Sequence, residues 1–256
     1  MDIRLDGKVA LVTGASRGIG EAIVRELLAS EISGVVITGR KAETLEPLAQ
    51  ELGDRVVPVV GNATDDEHVE AAVETAVDTF GACDLLVNNA GTNPAAGSLL
   101  EVDMGAVDRT WEVNMRAPLV WSRVVWHRWM AHHGGAIVSI GSVGGLAPSP
   151  LIGAYNVSKA GLHFLTRQLA HEMAPTVRVN AVAASIVKTR LSEALWSYDE
   201  EAVATAHPLE RLGVPEDVAR AAVFLLSDAA SWTTGVTLPV DGGLSTAAAG
   251  LKTPGG

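Results

Sequence analysis

Thr13-Gly14-Ala15-Ser16-Arg17-Gly18-Ile19-Gly20 follows the short apolar run Val9-Ala10-Leu11-Val12. The run is typical of a buried strand, and residues 20–30 continue with apolar side chains at helical spacing. Glycines in a strand-to-helix turn let the backbone bend sharply and approach a pyrophosphate, whose charge is favoured at a helix N-terminus. The turn lacks the Lys-Ser or Lys-Thr ending of a nucleotide triphosphatase loop. We therefore interpret it as a dinucleotide-binding turn; the alternative is a plain turn whose glycines serve packing.

The rest of the chain alternates short β-branched runs with longer helical patterns. The sequence predicts strands at 8–13, 35–38, 56–60, 85–87, 136–140, 177–182 and 236–240, and helices at 20–30, 42–52, 66–80, 107–130, 154–173 and 215–227. Strands that are apolar on both faces are typical of parallel sheets covered by helices. This order predicts an α/β fold, a Rossmann-type doubly wound sheet of seven parallel strands. Pro58 predicts a strand end or an irregular position in the third strand.

The length of 256 residues fits one large domain or two small ones, and we interpret residues 1–256 as one dinucleotide-binding domain. Residues 190–212 are the one long stretch between a strand and the next helix, and we interpret them as a lid over the substrate. Residues 247–256 are predicted to form a flexible tail.

Charge and composition argue against several classes of protein. The formal net charge of −11 disfavours nucleic-acid binding, because an acidic surface repels a phosphate backbone. A single cysteine, Cys83, excludes an intramolecular disulfide, and we interpret it as a buried structural residue. The N-terminus has no signal pattern and no apolar run approaches the ~20 residues of a membrane span, which predicts a cytoplasmic protein. His127, His132 and His133 lack the further ligands of a metal site, so no metal is expected.

The end of the second strand bears on the choice of cofactor. A carboxylate there would bind the ribose 2′-hydroxyl of NAD(H), but the chain has Thr38-Gly39-Arg40 instead. Arg17, in the glycine turn, supplies a second cation, and two guanidinium groups suit a phosphate dianion. We therefore expect NADP(H) rather than NAD(H), the alternative being that both arginines are solvated surface residues.

Tyr155 and Lys159 form the second chemical signal. They are four residues apart at the start of a predicted helix, which places them on one face. A phenol has a pKa of about 10, and a nearby ammonium favours its ionised form and lowers that pKa. The preceding strand ends in Ile140-Gly141-Ser142, which brings a hydroxyl to the same edge of the sheet. The pattern predicts an acid/base site.

Together these residues resemble the short-chain dehydrogenase/reductase family, in particular its single-domain branch similar to 3-oxoacyl-acyl-carrier-protein reductases. The resemblance covers about residues 5–245. It is carried by the glycine turn, Asn88-Asn89-Ala90-Gly91, Asn114, Ser142, Tyr155 with Lys159, Val177-Arg178-Val179-Asn180, residues 208–217 and Val240-Asp241-Gly242-Gly243.

The resemblance implies a role for each matching residue. Tyr155 would exchange a proton with the substrate oxygen, and Ser142 would hydrogen-bond the same oxygen. Lys159 would lower the Tyr155 pKa and hold the nicotinamide ribose, while Asn114 would hold a water that links Lys159 to solvent. Further cofactor contacts would come from Asn62, Ala63, Asn89, Ala90, Gly91, Ile186, Val187 and Thr189.

The chain departs from the family pattern in two places. Ala184-Ser185 stands where relatives usually have Pro-Gly, which affects the loop beside the nicotinamide, and Asn62 stands where relatives often have Asp. The family implies a mostly apolar substrate pocket and a homotetramer or homodimer, with contacts along the tryptophan-rich helix 107–130. The pocket residues would be Asn93, Ser142, Gly144, Ile152, Tyr155, Ser185, Leu195 and Trp196.

The sequence thus predicts an NADP(H)-dependent enzyme that interconverts a ketone and a secondary alcohol, most simply a ketoreductase acting on a small-molecule carbonyl. An NAD-dependent alcohol dehydrogenase of the same family and a non-catalytic dinucleotide sensor stay open as alternatives. The complete set of Asn114, Ser142, Tyr155 and Lys159 favours an enzyme over a sensor, which need not keep those groups.

Overall fold

A computed structural model describes residues 3–246, and the predicted flexible tail, 247–256, lies outside the described residues. All seven predicted strands are present, with ends shifted by at most two residues. They are β1 (Val9–Val12), β2 (Gly34–Gly39), β3 (Val56–Val60), β4 (Leu85–Asn88), β5 (Gly135–Ser142), β6 (Val177–Ala184) and β7 (Thr237–Val240). They form one parallel sheet in the order β3-β2-β1-β4-β5-β6-β7, which confirms the predicted fold class.

The helices cover both faces of the sheet. They are α1 (Gly18–Ala29), α2 (Ala42–Leu52), α3 (Asp66–Phe80), α4 (Met104–Trp111), α5 (Ala117–Val125), α6 (Ala131–His133), α7 (Gly153–Glu172), α8 (Glu200–Thr205) and α9 (Pro215–Leu226). One core joins α1, α2 and α9 to the sheet face that carries Ala10 and Val12. A second core joins α3, α5 and α7 to the opposite face, which carries Val9 and Leu11. Successive strand residues therefore enter different cores, which explains why the strands are apolar throughout.

The helix predicted at 107–130 is part of a longer helical run that extends from Met104 to His133. Two π turns, Glu112–Arg116 and Trp126–Met130, interrupt its α-helical segments. Trp121 is fully buried in this run, and its indole nitrogen donates a hydrogen bond to the Ala63 carbonyl at 3.0 Å. This hydrogen bond connects the helical run, which packs in the second core, to the segment that follows β3.

Two irregular features differ from the sequence-based expectation. Pro58 lies in the middle of β3, opposite Ile37, and not at a strand end. The sheet tolerates it because β3 is an edge strand, where a residue without an N–H leaves no neighbour unpaired. The segment 190–212 contains the short helix α8 and a single turn at Glu193–Leu195. Its function as a lid stays a prediction.

The topology decides where ligands can bind. The chain leaves β1 towards β2 on one side, whereas β4 lies on the other side of β1, so the strand order reverses between β1 and β4. Open parallel sheets bind ligands outside the carboxyl ends of the strands at such a reversal. The glycine turn, the Asn88–Gly91 segment, Ser142 and Ser185 all lie at the carboxyl ends of strands at this edge. No helix among residues 3–246 is long and apolar enough to cross a membrane.

Candidate active site

The glycine turn requires glycine at two positions because other backbone comes very close. Gly14 has a φ of +63°, and a Cβ there would lie 2.9 Å from the Ala90 Cα. A Cβ at Gly20 would lie 2.5 Å from both the Asn89 amide nitrogen and the Gly14 carbonyl oxygen. The turn is thus packed directly against the segment that follows β4.

Hydrogen bonds of Asn89 and Thr13 hold the glycine turn against the segment that follows β4. The Asn89 side-chain amide donates hydrogen bonds to the carbonyls of Thr13 and Gly14, at 2.8 and 2.9 Å. The Thr13 hydroxyl accepts from the backbone N–H groups of Asn89 and Ala90, both at 3.0 Å. The Asn89 side chain therefore has a structural role in joining these segments, and it also lines a cleft at the carboxyl ends of the strands.

The N-terminus of α1 offers an anion-binding position. The helix begins at Gly18 after an extended Arg17, and no side chain caps its first turn. Across this end, the Thr189 methyl group lies 3.3 Å from the place of a Cβ on Gly18. Uncapped N–H groups at a helix N-terminus attract phosphate. The residues predicted to hold a pyrophosphate are thus brought together, and they fit that group.

Arg17 and Arg40 stand at the ends of two adjacent strands. The Ala15 N–H donates to the Thr38 carbonyl at 3.0 Å, and a Cβ on Gly39 would lie 3.5 Å from the Ser16 Cβ. Both arginines are exposed, and neither has an ion-pair partner within residues 3–246. The site therefore has two exposed cations beside the turn.

A cleft of about 100 Å³ opens at the carboxyl ends of the central strands. It brings together many of the residues predicted from the sequence: Ile19, Asn89, Gly91, Ser142, Tyr155, Lys159, Ser185, Val187 and Thr189. The remaining lining residues are Ile140, Gly141, Ala184, Leu191 and Ser192. The residues predicted to carry out acid/base chemistry thus share one cleft with Ile19 of the glycine turn.

Lys159 is the buried cation of this cleft. Its side chain is held by a hydrogen bond from Nζ to the Ile140 carbonyl at 2.8 Å. Nζ lies 5.6 Å from the centre of the Tyr155 ring. Burial lowers the pKa of Lys159 to about 8, because desolvation disfavours its charged form.

Tyr155 is held in its protonated form. Burial raises the pKa of its phenol, and a hydrogen bond with Ser142 acts in the opposite direction without reversing the shift. This net direction differs from the lowering expected from the ammonium of Lys159, because desolvation is the larger effect here. The Ser142 hydroxyl oxygen accepts from the Gly144 N–H at 3.1 Å, which fixes its position beside the tyrosine.

Asn114 is buried in the middle of the first π turn. Its carbonyl oxygen accepts from the Thr92 N–H at 2.9 Å, and its amide donates to the Thr92 carbonyl and the Ser158 hydroxyl, both at 3.0 Å. Ser158 in turn donates to the Tyr155 carbonyl at 2.7 Å. The Asn114 side chain therefore holds the start of α7 in position. Its oxygen and nitrogen already have hydrogen-bond partners in the protein. The water-holding role implied by the resemblance stays a prediction.

Two of the residues expected to contact the cofactor, Asn62 and Ala63, lie just beyond β3. The exposed Asn62 side chain accepts from the Thr64 N–H at 3.4 Å, and Ala63 accepts from Trp121 through its carbonyl. Ile186 lies outside the cleft lining, and its carbonyl accepts from the Gly213 N–H at 3.1 Å.

Several predicted pocket residues lie around the cleft and do not line it. Asn93 has a buried side-chain oxygen without a hydrogen-bond partner among the described residues. A Cβ on Gly144 would lie 3.5 Å from the Ser142 hydroxyl, and Ile152 pairs with Gly97 in a short bridge. Leu195 ends the turn Glu193–Leu195, and the Trp196 indole donates to the Ser192 hydroxyl at 3.3 Å.

Sequence reasoning did not assign a role to four residues that shape the site. Thr13 lies in the glycine turn and Ser158 lies between Tyr155 and Lys159, so their positions in these motifs could have indicated a role. Ile140 acts through its carbonyl, which no side-chain pattern reveals. His207 binds Ser185, 22 residues away in the chain, and only the folded structure shows this contact.

Residues with other predicted roles lie away from the cleft. Cys83 is buried, as predicted, and burial raises the pKa of its thiol to about 12. His133 stacks on Trp129, with ring centres 3.7 Å apart. Within residues 3–246, no group of three or more His, Cys, Asp or Glu side chains is placed to hold a metal ion.

A doubly wound parallel sheet that places a half-buried tyrosine, a buried lysine and a serine beside a glycine turn defines a dinucleotide-dependent oxidoreductase. The chain belongs to the short-chain dehydrogenase/reductase family: the family model described as Enoyl-(Acyl carrier protein) reductase matches residues 14–245. Members of this family use nicotinamide dinucleotide cofactors.

Relatives support this assignment over nearly the whole chain. The human Dehydrogenase/reductase SDR family member 4 is 39% identical over 248 residues, covering 93% of this chain and 88% of its own length. Tropinone reductase-like 3 from Erythroxylum coca is 36% identical over 248 residues, covering 94% of each chain. A crystal structure from Brucella melitensis, titled as a glucose/ribitol dehydrogenase of the family, superposes with a TM-score of 0.90 at 30% identity and covers 95% of this chain and 99% of its own.

Proposed function

We propose that the protein is an NADPH-dependent ketoreductase that converts a ketone into a secondary alcohol. The observation that carries this proposal is a Tyr155 phenol kept protonated by burial, next to Ser142 and Lys159 in one cleft. A protonated phenol is the form that can give a proton to a carbonyl oxygen, so the site suits reduction at neutral pH.

Each side chain has a distinct task in this reaction. The Ser142 oxygen accepts from the Gly144 N–H, which holds the hydroxyl beside the Tyr155 phenol, and its proton would turn from the phenol to the substrate carbonyl when a ketone binds. Tyr155 donates its proton to the same oxygen as negative charge develops there. Lys159, fixed on the Ile140 carbonyl, is protonated below its pKa of about 8 and stabilises the phenolate that remains. NADPH supplies the hydride when it is bound.

The choice of NADPH rests on Arg17 and Arg40. Both are exposed cations beside the glycine turn, and no carboxylate ends β2 to repel a 2′-phosphate. We expect the double variant Arg17→Ala/Arg40→Ala to weaken NADPH binding about tenfold or more, because it removes two charged contacts to the phosphate. NADH binding should change little. Lys41→Ala is the matched control, since Lys41 is adjacent but pairs with Glu43 at 3.5 Å. Equal losses for both cofactors would contradict the assignment.

The catalytic assignment is tested by reduction of a panel of ketones with NADPH. Tyr155→Phe should lower kcat at least about 100-fold, because it removes the general acid and keeps the ring. NADPH binding, followed by fluorescence, should remain within about twofold, which separates catalysis from folding. Tyr198→Phe is the matched control, because Tyr198, the other tyrosine of the chain, is 78% exposed and lines no cavity described here. Wild-type rates in Tyr155→Phe would refute the mechanism.

We also propose that the protein is a cytoplasmic homodimer or homotetramer. Val157 and Phe164 on α7 are 44% and 63% exposed, and Met104 and Trp111 on α4 are exposed apolar residues next to that helix. Adjacent apolar side chains in solvent are typical of subunit contacts. Light scattering coupled to size-exclusion chromatography would show a monomer if this proposal were wrong.

A further inference from the structure

A second cavity of about 320 Å³ lies next to the catalytic cleft, and the two share Ser185 and Val187. The larger cavity is lined by the ends of β6 and β7, the segment that precedes α9 and the first turn of α9. Ser185 therefore stands between Tyr155 and Ser142 on one side and a larger space on the other. A substrate whose carbonyl lies at Tyr155 has room to extend past Ser185.

Ser185 is held by a buried histidine. The His207 side chain belongs to a residue that is only 2% exposed, and its Nε2 lies 2.9 Å from the Ser185 hydroxyl. The Ser185 N–H also donates to the Val240 carbonyl at 3.2 Å. Both the backbone and the hydroxyl of Ser185 are thus fixed in position.

The hydrogen-bond partners of His207 determine the direction of the contact. Its Nδ1 lies 2.9 Å from the Val203 carbonyl, which can only accept, so Nδ1 carries the proton. In the neutral ring Nε2 then has no proton, and it accepts the proton of the Ser185 hydroxyl. With the His207 ring neutral, the Ser185 oxygen offers lone pairs, and no proton, to a ligand.

Other polar groups around the larger cavity are already paired. Arg211 and Asp217 form a two-point ion pair at 2.6 and 3.0 Å. The Asp241 carboxylate accepts from the N–H groups of Gly243 and Ser245. The Ser185 oxygen is therefore a ready acceptor at the junction of the two cavities.

We propose that Ser185 determines substrate specificity by accepting a hydrogen bond from a hydroxyl group of the substrate, and that His207 is the positioning residue that keeps it an acceptor. The substrate class is a ketone that carries a hydroxyl on a neighbouring part of the molecule. This inference rests on the proposed ketoreductase function and names its substrate class. A ketone with a methyl group in place of the hydroxyl leaves the Ser185 oxygen unpaired on binding and is disfavoured.

The test uses pairs of ketones that differ by a hydroxyl in place of a methyl, of which hydroxyacetone and butanone are the shortest pair. Longer pairs place the hydroxyl one and two carbons farther from the carbonyl. We expect the wild-type enzyme to favour the hydroxyketone about tenfold in kcat/KM in at least one pair. Ser185→Ala should bring the ratio of kcat/KM for the hydroxyketone to that for the methyl ketone close to one. The dissociation constant of NADPH, measured by fluorescence, should stay unchanged.

His207→Phe provides a second, independent variant. It keeps an aromatic ring in the buried position and removes the Nε2 acceptor, so the Ser185 proton becomes free and the preference should fall. Its thermal unfolding shows whether the fold is retained; if it is not, Ser185→Ala decides the proposal.

Three results would overturn the proposal. A wild-type enzyme that reduces the methyl ketones but prefers no hydroxyketone refutes the role of Ser185 and leaves the ketoreductase function intact. Equal loss of both ketones in Ser185→Ala, together with weaker NADPH binding, assigns the Ser185 oxygen to the carboxamide of the cofactor instead. Reduction of neither ketone in any pair overturns both this proposal and the proposed function.

Discussion

Replacing Lys159 by methionine tests the electrostatics of the site through its effect on folding. Methionine keeps an unbranched side chain of similar length and removes the titrating group. Burial lowers the Lys159 pKa from 10.5 to about 8, so the folded chain releases this proton at a lower pH than the unfolded chain. Between these two values the unfolded state binds more protons, and stability therefore rises with pH in that window. Below pH 8 the full cost of a buried charge applies, about 3 kcal/mol at about 1.4 kcal/mol per pH unit.

The assay is urea unfolding of both proteins at intervals from pH 6 to pH 10, without cofactor. The free energy of unfolding of the wild type, minus that of Lys159→Met, should be flat from pH 6 to pH 7 and increase by about 2 kcal/mol between pH 8 and pH 10. The raised pKa of Tyr155 lowers the stability of both proteins above pH 10, where the unfolded phenol ionises and the folded one stays protonated. This contribution is subtracted in the difference, and stopping at pH 10 keeps it small. A difference that stays constant within about 0.5 kcal/mol over the whole range would refute the claim that Lys159 titrates in a buried position.

Three further substitutions test the framework around the cleft. Asn89→Ala should lower the free energy of unfolding by about 2 kcal/mol in urea, because it removes two hydrogen bonds to the glycine turn, while exposed Gln50→Ala should have no measurable effect. Ser142→Ala should lower kcat about tenfold to 100-fold with unchanged NADPH affinity in a fluorescence titration, and an unchanged kcat would exclude its contact with the substrate. Asp84→Ala should cost about 2 kcal/mol in thermal or urea unfolding, since its carboxylate accepts a backbone N–H and an indole N–H, and exposed Asp54→Ala is the control.

The fold could be predicted from the sequence because its main signals are local. Runs such as Val35–Ile37 enter both cores, so they are apolar throughout, and the helices between them repeat apolar residues at helical spacing. Pro58 is the instructive exception. A proline inside a strand is tolerated when the strand lies at the sheet edge. The position of a strand in the sheet depends on the strand order, which cannot be read from residues 56–60 alone.

The sequence could predict those residues of the candidate site whose own side chains face the cleft and that lie in a recognisable motif. Ser142, Tyr155 and Lys159 line one cleft, and their catalytic roles stay predictions. The part played by Asn114 was less accessible, because its amide acts on Thr92 and on the hydroxyl of Ser158, and only the packing of the π turn against α7 creates those contacts. The role of Ile140 resides in a backbone carbonyl, so its side chain gives no signal.

The protonation state of Tyr155 could not be predicted from the position of Lys159 in the sequence. From the sequence, a lysine four residues away predicts a lowered phenol pKa. That argument includes the attraction of the ammonium for the phenolate but leaves out the loss of water around both groups. In the folded chain the same enclosure that brings Lys159 near the ring also removes water from both groups, which lowers the lysine pKa and raises that of the tyrosine. Desolvation acts against each charged form, and at this tyrosine it is larger than the effects that favour ionisation. Desolvation therefore keeps the proton on the Tyr155 phenol, which is the form that the proposed reduction of a ketone requires.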